Sequence, residues 1–181
     1  MTLAACSFFL GAAVAGQEPE APKTASVVKA QSFVSVDPVA RGKEFQVALN
    51  LEIARGFHMN SHHPSDAYLI PTNLTPQTPT GFEVLDTIYP AGHLQKFAFS
   101  PDKPLDVYSG SVTLKLKMRA SADAPLGPMT IPMVLRYQAC NDSTCLPPNK
   151  LPVEFKFVVG AATAKSRAVH PELFTPQASA K

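Results

Sequence analysis

Ser111-Val112-Thr113-Leu114-Lys115-Leu116-Lys117-Met118-Arg119 sets an apolar residue at every second position, with threonine and lysine between them. Successive side chains of an extended strand point to opposite faces, so this spelling gives one apolar face and one charged face. Such a pattern marks a half-buried antiparallel strand. Phe45, Val47, Leu49 and Leu51 alternate in the same way within residues 44–53. Outward from these two, short β-like runs fall between proline and glycine signals at 32–36, 68–74, 82–89, 130–138 and 153–159. No amphipathic helix and no internal repeat is legible. Strands of this number and length predict an all-β chain folded as an immunoglobulin-like antiparallel β-sandwich.

Composition agrees with that reading. A chain of 181 residues fits one domain with a substantial core. Eighteen prolines and no tryptophan suit many short, punctuated segments better than a helical bundle. A net charge of +2 gives no strongly basic surface, so no nucleic acid partner is expected. Three cysteines are too few for a disulfide-stapled mini-protein.

The chain divides by composition. Residues 3–15 are uncharged and largely apolar, and Ala13-Val14-Ala15 before Gly16 resembles a small-residue cleavage site, so residues 1–16 read as a signal peptide. The run is shorter than the roughly 20 apolar residues a membrane span needs. Leu3-Ala4-Ala5-Cys6 has the look of a lipoprotein box, but the apolar run follows Cys6 instead of preceding it. Export to the periplasm or beyond is therefore preferred to a lipid-anchored form. Residues 17–30 form a flexible Ala-, Pro- and Glu-rich lead-in, residues 31–160 the domain, and residues 161–181 a disordered tail.

The two cysteines outside the leader stand close together in Tyr137-Gln138-Ala139-Cys140-Asn141-Asp142-Ser143-Thr144-Cys145-Leu146-Pro147-Pro148. If a strand ends at Cys140, a tight loop can bring Cys145 opposite it, at the Cα separation of about 4.5–5.5 Å that opposed strand residues have. Pro147 and Pro148 lack amide donors, which holds the returning chain at a sheet edge. A disulfide closing so short a loop restrains the unfolded chain by only about 2 kcal/mol. Sandwich domains that use a disulfide for their core join cysteines far apart in sequence. Spacing alone leaves a static hairpin staple and an exchanging pair equally open. The spacing is not Cys-x-x-Cys, so no thioredoxin fold is indicated.

The same segment, with its double proline, resembles the signature of the N-terminal periplasmic domain of the thiol:disulfide interchange protein DsbD. Gly56-Phe57-His58-Met59-Asn60-Ser61-His62-His63-Pro64, Tyr68-Leu69-Ile70-Pro71-Thr72, Tyr89-Pro90-Ala91-Gly92 and Val107-Tyr108-Ser109-Gly110 agree with that family in the same order. The likeness spans roughly residues 32–159. It implies an immunoglobulin-like domain with one redox-active disulfide and no other cofactor. By that likeness Cys140 and Cys145 exchange electrons between a separate membrane-embedded thiol reductant and periplasmic thioredoxin-fold proteins, among them those serving cytochrome c maturation. Cys145 would form the mixed disulfide with partners and Cys140 would resolve it. The family shields its disulfide with an aromatic cap. The matching region is 93–103, with Phe97 and Phe99 as cap candidates. The domain is expected to act as a monomer and, lacking a second redox domain in this sequence, as one station of a relay.

Two readings from other classes stand beside this one. His58, Met59, His62 and His63 could ligate a soft or borderline metal such as copper. Alternatively, the chain is a structural or interaction sandwich with a static bridge. Within the loop, Asp142 disfavours a thiolate, while Arg136 and Lys150 offset it only if they fold nearby.

Overall fold

The computed structural model describes residues 27–174. The proposed signal peptide, residues 17–26 of the lead-in and residues 175–181 lie outside that range.

The alternating stretch that opens the sequence reading becomes β10 (Ser111–Ala120). It lies between β4 (Glu44–Ile53) and β7 (Phe82–Ile88), with β1 (Val28–Val34) on the far side of β4, all antiparallel. Val112, Leu114, Leu116, Met118 and Ala120 are buried, and the lysines between them face outward. A second sheet orders β3 (Val39–Ala40), β13 (Asn149–Gly160), β11 (Gly127–Tyr137) and β6 (Asn73–Pro76). Its inward residues Ile131, Met133, Leu135, Phe155 and Phe157 share one core with Val47, Leu49, Leu51, Leu114 and Leu116 of the first sheet. Each such side chain contributes about 1.5–3 kcal/mol by leaving water. Two antiparallel sheets face to face over one core give the expected all-β, immunoglobulin-like sandwich.

A smaller sheet sits at one end of the sandwich. It orders β12 (Ala139–Cys140), β5 (His58–Asn60), β9 (Ser100–Tyr108) and β8 (His93–Phe97). Ser109 and Gly110 carry the chain from β9 into β10, with Gly110 at φ +66°, where an L side chain is disfavoured.

Three expectations change. The run at 68–74 is no strand: pairing starts only at Asn73, and Tyr68 is exposed. Pro71 cannot donate, and the carbonyl of Ile70 accepts from the Asn60 side chain instead of a neighbouring strand. The run at 130–138 does not continue to Cys140 as one strand. It breaks at Gln138, where the chain leaves β13 and joins β5.

The tail is also ordered further than its composition suggests. β14 (Arg167–Ala168) pairs with β2 (Val36–Asp37), and α1 (Pro171–Phe174) follows. A backbone ladder needs no apolar residues: Val169 N donates to Ser35 O at 2.9 Å, and the His170 ring meets Phe33 edge-on at 4.9 Å. Among the described residues no helix is long and apolar enough to cross a membrane.

Candidate functional site: the disulfide at the sheet edge

Cys140 ends β12 and is bonded to Cys145, five residues on, with an S–S distance of 2.02 Å. Their Cα atoms are 3.9 Å apart, tighter than the opposed-strand spacing expected from sequence, and the two residues form a single antiparallel bridge. The connecting loop is held by its own first residue. Asn141 Oδ1 accepts from Ser143 N at 2.9 Å and from Thr144 N at 2.8 Å, while Asn141 N donates to Thr144 O at 2.9 Å. This is the Asx turn that asparagine favours, because its side chain mimics a backbone carbonyl two residues on. On the return, Leu146 N donates to Ala139 O at 2.8 Å and Gln138 Nε2 donates to Leu146 O at 3.2 Å. The two cysteines are thus brought together by backbone and amide bonds independent of the sulfurs. Asn141 was not singled out from sequence, although an asparagine placed two and three residues before free amides is a readable turn signal.

The two cysteines differ in environment. Cys140 is 2% exposed, whereas Cys145 and the flanking Thr144, Pro147 and Pro148 are exposed. β12 pairs with β5 so that Cys140 lies directly opposite His58. His58 is 3% exposed and its Nε2 has no hydrogen-bond partner. Burial holds its imidazole below the ordinary histidine range. The charge of Asp142 in the cysteine loop opposes that shift and His93 on β8 adds to it.

Phe97 and Phe99 sit at the tip of the β8–β9 hairpin. Phe97, 4% exposed, stacks on His58 with centroids 4.0 Å apart. It belongs to a small cluster with Leu105 and Val107. Phe99 is 48% exposed and stacks on the outer face of Phe97 at 5.2 Å. The hairpin tip is tied down by Lys103 Nζ, 2.5 Å from Asp66 Oδ1.

The remaining motif residues build the platform beneath. His62 stacks on Tyr89 at 3.6 Å with the rings 1° from parallel, and its Nδ1 lies 2.9 Å from Thr72 O. Tyr89 OH accepts from Leu74 N and donates to Asn73 Oδ1. Tyr108 OH donates to Pro90 O at 2.8 Å and accepts from His62 N at 3.3 Å. Thr72 Oγ1 donates to Asn60 O at 2.6 Å. Gly92 packs so closely that a Cβ there would lie 1.8 Å from Asp106 Oδ1. The four residues considered as metal ligands are divided among these tasks. Met59 is in the main core, on the opposite strand face from His58, His62 is committed to Tyr89 and Thr72, and His63 meets the His62 ring edge-on at 4.6 Å while its backbone N donates to Ser61 Oγ. Among the described residues no group of three His, Cys, Asp or Glu side chains is placed to share a metal ion.

The profile of the family described as "Thiol:disulfide interchange protein DsbD, N-terminal" matches residues 24–156. The chain belongs to that family. Its domain is accordingly a thiol–disulfide exchange module, with Cys140–Cys145 as its disulfide. Among solved structures, the N-terminal periplasmic domain of ScsB from Proteus mirabilis superposes with a TM-score of 0.51 at 12% identity, over 81% of this chain and 50% of that one. The DsbD N-terminal domain of Neisseria meningitidis in the reduced form gives a TM-score of 0.40 at 19% identity, over 75% of this chain and 89% of that one. No match is found among curated proteins.

Proposed function

We propose that this domain relays electrons, taking them from a membrane-embedded thiol reductant and passing them through Cys140 and Cys145 to thioredoxin-fold proteins of the periplasm. Cys145 makes and breaks the mixed disulfide with partners, and Cys140 resolves it. The observation that carries this reading is the asymmetry of the pair: one sulfur-bearing residue is exposed at a sheet edge, the other is buried beneath it. Exchange proceeds by thiolate attack on one sulfur, and access decides which sulfur an incoming thiolate reaches. Family membership and the periplasmic relative support the compartment and partner class. Phe97, seated against His58 across from Cys140, is favoured over Phe99 as the inner layer of the aromatic cap.

The test is covalent trapping. A Cys140→Ser variant, offered a periplasmic thioredoxin-fold protein lacking its own resolving cysteine, should accumulate a reducible adduct through Cys145. A Cys145→Ser variant should trap little. Adducts formed through Cys140 alone would reverse the roles. Absence of adducts from both variants, across several such partners, would sink the relay and return the static-bridge reading.

A further inference from the structure

Cys140 poses a chemical problem that Cys145 does not. To resolve a mixed disulfide its thiol must lose a proton, and when the bridge is opened by attack at Cys145 it must leave as a thiolate. Both events take place at a residue almost wholly withdrawn from water. Burial in apolar surroundings raises a thiol's pKa and slows both.

One group is placed to handle that proton. The β12–β5 ladder sets His58 directly across from Cys140. Opposed residues of an antiparallel pair share a sheet face, with Cβ atoms about 4.5–5.5 Å apart. Phe97 is stacked over the ring and helps shut out solvent. Buried polar atoms are nearly always satisfied, and an exception calls for a reason. Nε2 of His58 is such an exception. In the oxidised protein Cys140 has no S–H to give. In the reduced protein it has one, and the ring of the residue paired opposite carries an unpartnered nitrogen.

We infer that His58 is the proton acceptor and donor for Cys140 during exchange, an assignment that rests on the exchange reading above. Once Cys145 has joined a partner sulfur, the Cys140 thiol passes its proton to His58 Nε2. The Cys140 sulfur then attacks Cys145, the Cys140–Cys145 bond forms, and the bond to the partner breaks. The electron pair leaves with the partner's sulfur, which departs as a thiolate, and the imidazolium returns its proton to solvent or to that thiolate. Two electrons move from the cysteine pair to the partner. In the opposite direction an incoming thiolate attacks Cys145, the Cys140–Cys145 bond breaks, and Cys140 leaves as a thiolate that recovers, through His58, the proton the incoming thiol gave up. The titratable groups facing the ring are Asp142 from the cysteine loop and His93 from β8, the latter with its Nε2 3.3 Å from Ser109 Oγ. Desolvation keeps the ring neutral near neutral pH, the form able to accept.

The experiment separates the two chemical steps. Reduced protein is mixed with dithiodipyridine, which releases one coloured thione as Cys145 reacts and a second as Cys140 closes the ring. In the wild type the second phase should rise with pH through an imidazole titration and then flatten. In His58→Phe, which preserves the stack on Phe97, the first phase should keep its rate, and in His58→Gln, which loses that stack, it should be no slower. Their second phase should slow by about 100-fold near neutral pH, the lower range for general acid–base catalysis. It should also climb with pH without the plateau. A second phase equal to wild type in rate and pH profile would overturn the role of His58 while leaving exchange intact. Failure of the first phase in the wild type would overturn both. If both variants unfold, NMR of the unmodified protein decides: His58 ring resonances must titrate differently in oxidised and reduced protein, and identical titrations would refute the assignment.

Discussion

Removing both sulfurs tests whether the bridge serves the fold or the chemistry. The relevant variant is Cys140→Ala with Cys145→Ser, because alanine at the buried position 140 brings no hydroxyl that could bond to His58 Nε2 and mask the loss of the bridge. The loop closed by the bridge spans a sequence separation of five. Loop-closure entropy at that length gives about 2 kcal/mol. Against this stands a core that runs through both sheets, from Leu49 and Leu116 to Met133 and Phe155. A domain of this size typically has about 5–15 kcal/mol in hand. The loop also keeps its shape without sulfur, since the Asn141 turn and the Leu146–Ala139 bond do not depend on it. The variant should therefore keep a β-rich circular dichroism spectrum and a single cooperative melt. Its midpoint should fall by about 4–8 °C, taking about 2–4 °C per kcal/mol for a chain of this length. Thermal melts of the variant against oxidised wild type measure it. Loss of the cooperative transition, or a drop several times larger, would mean that the bridge holds the sandwich together, and the argument for a dispensable disulfide would be wrong.

Equilibration against a thiol redox buffer should open the bridge without unfolding, at a potential above the roughly −300 mV typical of structural disulfides. Asn141→Ala removes the acceptor for two loop amides, so it should raise that potential by about 20 mV per kcal/mol of lost turn stability. An unchanged potential would show that the turn does not pre-set the pair. Phe97→Ala should cost about 3 kcal/mol and Phe99→Ala no more than about 0.5 kcal/mol, because the first is buried and the second is half exposed. Alkylation of the reduced cysteines, timed in each variant, identifies the cap as the phenylalanine whose loss speeds it. The depressed His58 titration sets a pH dependence. The unfolded chain binds this proton more readily, so stability is fully present above about pH 6.5, the ordinary histidine value, and declines as pH falls toward the folded value. Urea midpoints compared at about pH 7.5 and about pH 5 should differ more in the wild type than in His58→Phe, and equal differences would refute the attribution.

The sandwich was readable because its evidence is periodic. Lys115 and Lys117 between Leu114, Leu116 and Met118 permit only one buried face, and β10 presents it. The cysteine segment was readable because Pro147 and Pro148 forbid pairing where the chain returns, and β13 indeed begins only at Asn149. What escaped was the change of sheet at Gln138. Tyr137, Ala139 and Cys140 are all buried, and composition does not distinguish a strand that continues from one that hands over to a new partner. The β8–β9 hairpin was missed for a related reason. Its exposed spelling, His93-Leu94-Gln95-Lys96, lacks a clean alternation, since only its end, Phe97, is buried. The histidines at 58 and 62 looked alike in sequence, yet one lies opposite a cysteine and the other is clamped between Tyr89 and Thr72.

That handover at Gln138 also explains why the two cysteines differ. Had β11 run on to Cys140 beside β13, Cys140 would have ended a strand of the main sandwich, far in register from β5. By switching partners, the chain carries Cys140 onto the edge of the end sheet, opposite the His58 on which Phe97 stacks, while the Asn141 turn returns Cys145 to the outside. Exposure of one residue and burial of the other are thus consequences of backbone routing, set before any sulfur chemistry begins. A bridge meant only to fasten a hairpin gains nothing from such routing, since either cysteine would serve equally well exposed. An exchanging pair gains a defined point of attack and a protected resolving thiol, which is the division of labour that the trapping experiment reads directly.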